Sequence, residues 1–215
     1  GEVMAQNPSW CQPLSKWIGY FNGWINNSSP QDMLEINIFF DFRCAWGEQK
    51  LVDDLRQHIH QMLHHQPQFT HHVGDNALNY KPPIGLFGNI VTESVGKHPE
   101  TFNIKSAMMP LVNIARAYAL KNGVFETGTL DRIQELREHL ILTESDYIEI
   151  QMIFNFLMQL RLKHQTIAAE LHEPVDNFIN PKSLSHIELM TLKNVFSQIN
   201  AFLSKLSTDF KGSAQ

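Results

Sequence analysis

The sequence predicts a mainly α fold, an antiparallel helical bundle with one or two short strands near its N-terminus. Three observations predict it. Apolar residues recur at three- and four-residue spacing over most of the chain. One early segment, residues 33–43, is apolar without that period. Pro, Gly, Asn and Ser gather between the periodic stretches, where turns are needed.

Asn7-Pro8-Ser9 is a helix-start signal, and Trp10, Leu14, Trp17, Ile18, Phe21, Trp24 and Ile25 then form one stripe. Asn26-Asn27-Ser28-Ser29-Pro30 stops it. Residues 33–43 (MLEINIFFDFR) are β-rich at their centre and read as a strand. One strand cannot satisfy its own N–H and C=O groups, so it needs residues 84–91 or an upstream segment as a partner. Residues 47–66 make a second helix, with Leu51, Leu55, Ile59 and Leu63 on one face. A shorter third covers residues 69–79, and residues 81–105, rich in breakers, form a loop or short hairpin.

The remainder is helical. Residues 107–121 run to the stop signal Asn122-Gly123. Thr129 caps a helix carrying Leu130, Ile133, Leu136 and Leu140, and Thr143 opens a long one through Leu171. Ser185 and Glu188 fit a capping box ahead of the last stripe, Leu189 to Leu206.

The bulk numbers exclude several classes. A chain of 215 residues supports one sizeable core, or a core with a small lobe. Hydrophobic residues at 43% and charged residues at 18% suit a folded protein. A net charge of −5 argues against a general nucleic-acid binder, which needs surplus Lys and Arg for phosphates. Cys11 and Cys44 form no CxxC pair, which suits a reducing, cytoplasmic setting. No apolar run is long enough for a bilayer and no signal peptide is visible. The opening Gly1-Glu2-Val3-Met4 reads as a piece of a longer polypeptide or a processed start, and residues 211–215 as a frayed tail.

Several segments together carry a resemblance. They are GEVMAQNPSW at the start, Ile38-Phe39-Phe40-Asp41-Phe42-Arg43 with Gly47 after it, Pro82-Pro83-Ile84-Gly85, Ala115-Arg116-Ala117-Tyr118-Ala119-Leu120, Thr129-Leu130-Asp131-Arg132, Leu160-Arg161-Leu162-Lys163-His164-Gln165, and Asp176-Asn177-Phe178-Ile179. In this order the chain resembles bacterial nucleotidyltransferases that follow cyclic-nucleotide-binding and CBS domains. Those are similar to the protein-PII uridylyltransferase and the glutamine-synthetase adenylyltransferase. The resemblance implies that residues 1–45 end a catalytic domain and residues 46–210 form a helical substrate-binding domain. It also implies upstream regulatory domains, and a nucleotide and an unknown acceptor, such as a protein, as partners. The family's Gly-Ser turn and paired-acid strand are absent. Where the family has Pro-Val-type residues after the Arg, this chain has Cys44-Ala45-Trp46.

Nucleotidyl transfer attacks an α-phosphate in line between two divalent ions. Carboxylates hold Mg²⁺ because hard cations take oxygen ligands. By the resemblance, Asp41 is the third carboxylate, catalytic and metal-binding in the intact enzyme only. From residue type alone, Asp41 reads as a strand-end Asp bonding loop N–H groups. One carboxylate cannot hold two Mg²⁺, so this chain is expected to need no cofactor and to be inactive alone.

Arg43, Lys105, Arg116, Arg132, Arg161 and Gln165 are the candidate substrate contacts. Arg meets phosphate oxygens two at a time. If these residues serve a ligand they line one cleft; otherwise they tie helices together through Asp and Glu. Six histidines between His58 and His72 include a zinc-compatible i, i+4 pair, His60 and His64, but no HExxH pattern, and read as a solvated helix face. The Trp10, Trp17, Phe21, Trp24 stripe reads as core, or as the flank of a catalytic domain through which the chain would dimerise. The other functional class is a non-catalytic regulatory or dimerisation module.

Overall fold

The computed structural model describes residues 7–27, 36–95 and 97–211. Among them are seven α-helices and one short sheet. The helices are α1 (Leu14–Asn27), α2 (Gln49–His65), α3 (Pro67–Leu78), α4 (Ile104–Lys121), α5 (Thr129–Glu138), α6 (Glu144–Glu170) and α7 (His186–Lys211). β1 (Phe102–Asn103) pairs antiparallel with β2 (Phe178–Ile179), Phe102 opposite Ile179. Among the described residues, no helix is long and apolar enough to cross a membrane.

The bundle is built around α4, which packs against α3, α5, α6 and α7. Its sequence explains the position. Ile104, Leu111 and Ile114 are buried together with Ala115, Ala117 and Ala119, so the helix is apolar nearly all round. The alanines keep it narrow, and neighbours can approach from several sides. Asn103 caps it by accepting from Ser106 N, and Asn122 and the left-handed Gly123 (φ 71°) end it as the sequence indicates.

The other predicted helix signals recur in the structure. Thr143 and Asp146 form a reciprocal capping box at the start of α6. Ser185 and Glu188 do the same before α7, at 2.9 and 3.2 Å. The cap of α5 is Gly128 rather than Thr129, which is the first helical residue. α4 also starts earlier than residue 107, so Lys105 sits in its first turn.

The expected early strand is not one. Asn37–Phe40 is a 3-10 helix, and residues 33–35 lie outside the described set, as do Ser28–Pro30 and the tail at 212–215. Its apolar side chains serve a helical packing instead. Phe40 is buried, edge-on to Phe21 at 5.2 Å and tilted against Phe69 at 5.5 Å. The strands lie mid-chain and late, at β1 and β2, and not near the N-terminus. The 84–91 stretch closes on itself through an Ile84–Ile90 bridge, with Leu86 and Phe87 fully exposed at its tip. Trp10, Trp17 and Trp24 join Phe39 in a ladder of rings at 4.8 to 6.1 Å.

Candidate functional site

Asp41 terminates the 3-10 helix, its N–H bonded to Ile38 O at 3.2 Å. Phe40 next to it is buried, which holds the end of the 3-10 helix against the bundle. Two arginines meet it from separate helices. Arg116 of α4 donates from Nε to Oδ1 at 3.3 Å and from Nη2 to Oδ2 at 2.5 Å. Arg132 of α5 donates from Nη2 to Oδ1. Arg116 also donates from Nη1 to Asn113 Oδ1, one turn back, at 2.8 Å.

Both guanidiniums are almost removed from water: Arg116 is 8% exposed and Arg132 3%. A buried charge without a partner is strongly destabilising, so the sequence must bring a carboxylate to them. It brings one for two. The trio carries net positive charge, and Arg132 Nε is buried with no hydrogen-bond partner. Such a cluster favours an additional anion over a cation. A magnesium ion does not fit it, because both Asp41 oxygens already accept from arginines. Among the described residues, no three His, Cys, Asp or Glu side chains gather to hold a metal.

The other candidates lie elsewhere. Arg161 Nε donates to Asn177 Oδ1 at 2.8 Å, and Gln165 Nε2 donates to the same oxygen at 3.2 Å. One turn of α6 thus grips the segment that leads into β2. His164 Nε2 meets Asp176 Oδ1 at 3.0 Å, and Asp176 also accepts from Phe178 N at 2.9 Å. Burial pushes the Asp176 carboxyl up, but these hydrogen bonds outweigh it and hold the group below its usual range. His98 lies flat on Phe178, ring centres 3.9 Å apart. Asn177 O accepts from Ile104 N at 2.9 Å, which places this second cluster at the start of α4. Lys105 is exposed beside it. Eleven residues of helix, about 16 Å, separate Lys105 from Arg116. Arg43 is exposed, two residues past Asp41.

The structure therefore brings Asp41, Arg116 and Arg132 together and places Arg161, Gln165 and Lys105 toward the opposite end of α4, so the six candidates do not line one cleft, and Arg116 and Arg132 tie α4 and α5 to the 3-10 segment through Asp41. Asn113, which sets the Arg116 fork, went unnoticed in the sequence. Its spacing of three from Arg116 was the available signal.

A family model described as "Putative nucleotidyltransferase substrate binding domain" matches residues 67–210. The chain belongs to this family. The substrate-binding domain so defined contains Arg116, Arg132 and Arg161. A second model, described as a nucleotidyltransferase, matches residues 1–31. Asp41 falls between the two matched stretches. No curated protein and no solved structure matches the chain.

Proposed function

We infer that this domain presents an anionic substrate, a nucleotide or a protein acceptor, to the catalytic centre of a bacterial cytoplasmic signalling nucleotidyltransferase, in the manner of the protein-PII uridylyltransferase. One observation carries the reading: two buried guanidiniums from α4 and α5 converge on a single carboxylate and leave positive charge over. Planar guanidinium forks suit phosphate oxygens. Asp41 is then a positioning residue, holding both forks in one orientation until an anion shares them. The family match supports a substrate role for the helices that carry the two arginines.

Calorimetric titration with UTP and Mg²⁺ tests this on the chain and on Arg116→Lys. Lys keeps a cation but loses the fork, so binding is expected to weaken about tenfold, equivalent to roughly 1.4 kcal/mol. Equal affinity in both proteins, or no binding in either, would overturn the reading.

A non-catalytic dimerisation module is the second reading. Leu86 and Phe87 at the exposed hairpin tip favour it. Sedimentation of the chain and of Phe87→Ser decides: a dimer lost in the variant supports it, and a monomer in both removes it.

A further inference from the structure

α6 carries apolar residues on two opposite sides. Ile150, Ile153, Leu157 and Leu160 are buried, on the side that packs against α4 and α5. The outer side holds a second stripe, Ile148, Met152, Asn155, Gln159, Leu162 and Thr166. All six are exposed, Met152 at 67%, Leu162 at 53% and Ile148 at 46%. They follow one another at alternating steps of four and three, the seam of a helix that pairs with another helix. None of the six is charged, in a chain with 22 acidic side chains and 17 Lys and Arg. The outer faces of α2 and α5 differ: one exposes Lys50 and Asp53, the other Asp131 and Glu138.

Charged groups elsewhere on α6 are engaged by neighbouring elements. Lys205 of α7 donates to Asp146 at 2.5 Å, Lys163 donates to Glu188 of α7 at 2.6 Å, and Arg161 donates to Asn177 at 2.8 Å. The seam is left clear over about 27 Å of helix axis. It is also self-complementary. Laid antiparallel on a copy of itself, with a two-fold axis at Leu157, it sets Met152 opposite Leu162, Asn155 opposite Gln159 and Ile148 opposite Thr166. Each pairing occurs twice. Amide then meets amide, with donors and acceptors on both sides. Beside the seam the same register brings Glu149 toward Lys163 of the second copy, whose side chain is 57% exposed. Parallel pairing instead sets Glu144 against Glu149, a like-charge contact, and aligns the two helix dipoles.

We propose that the outer face of α6 is a homodimer surface, covered by α6 of a second copy of this chain in antiparallel register about Leu157. The matched pairs single out this partner. An apolar helix of another protein would bury Asn155 and Gln159 with no amide to meet them, which is costly. A polar pair inside a seam fixes register at some expense of stability. Two faces of this length bury about 1,000 Å² in total, the lower bound of a specific interface, so the dimer forms and parts at micromolar concentration. The surface shares no residue with the Asp41 cluster or with the hairpin tip at Leu86 and Phe87, and stands whichever of those readings fails.

Sedimentation equilibrium of the chain across micromolar concentrations tests this, with circular dichroism to show that each variant is folded. A monomer–dimer equilibrium is expected. Met152→Lys and Leu162→Glu, both at exposed positions, should each weaken the dimer about tenfold. Combined in one chain they should dimerise more tightly than either alone, because the new ammonium then lies opposite the new carboxylate of the second copy. That recovery reports the register and not merely a hydrophobic contact. Phe87→Ser should leave the dimer unchanged. A monomer throughout, a dimer unmoved by either single variant, or a combined chain that does not exceed both singles overturns the proposal. A dimer lost in Phe87→Ser overturns it too, in favour of the hairpin tip.

Discussion

Arg132 and Asp41 stand 91 positions apart in the chain and are hydrogen bonded, with Arg132 at only 3% exposure. A contact of that reach fixes the 3-10 segment onto α5 and stakes the fold on one carboxylate. Asp41→Ala is expected to destabilise the domain by about 3 kcal/mol, because two guanidiniums are stranded. Adding Arg132→Met should recover part of that loss. Urea unfolding of both single variants and the double gives the coupling, expected at roughly 1–3 kcal/mol. Additive losses would mean the pair is not coupled in solution.

Glu188 accepts from Ser185 N at 2.9 Å and from Lys163 Nζ at 2.6 Å. The Lys163 ammonium and the Ser185 hydrogen bonds lower its carboxyl to about 2 from the ordinary 4.5. A depressed carboxyl gives stability that is complete above the ordinary value and lost as pH falls toward the folded one. Glu188→Ala is therefore expected to cost about 1 kcal/mol at pH 7, as for other lost caps. That difference should shrink between pH 4.5 and about 2, readable as converging urea midpoints.

Tyr118 donates to Asp209 at 2.5 Å, tying α4 to the end of α7. Burial first, then the Asp209 hydrogen bond and charge, push the Tyr118 hydroxyl well above its ordinary 10.0. A raised value gives stability present below the ordinary one and lost as pH climbs past it. Tyr118→Phe keeps the ring against Phe210 and should cost about 1.5–3 kcal/mol near pH 7, the range for hydrogen bonds to charged groups. The gap between the two proteins is expected to hold up to pH 9 and to narrow above 10.0, checked by unfolding at stepped alkaline pH.

Helices were legible because each leaves a local trace. The stripes, Asn122-Gly123, and the boxes at Thr143 and Ser185 need only neighbours within four positions. The segment holding Phe39 and Phe40 misled because β-branched and aromatic residues fit a pleated surface equally well as a buried 3-10 turn. Tertiary contacts with Phe21 and Phe69 decide between the two, and no local pattern encodes them. Arg116 was conspicuous among alanines. That Asp41 and Arg132 would join it, rather than Arg161 or Lys105, depends on how α4 meets α5. β1 and β2, two residues each, carry too little pattern to be seen.

His71 of α3 bonds the carbonyl of Phe210 across 139 positions, and the Phe210 ring fills the space left open by Gly74. The seal on the bundle is thus made by a helix that follows all the elements it covers. Until α7 emerges, the faces of α3 and α4 that pack against it lack their cover. Closure of this domain therefore waits on α7, however early its individual helices form.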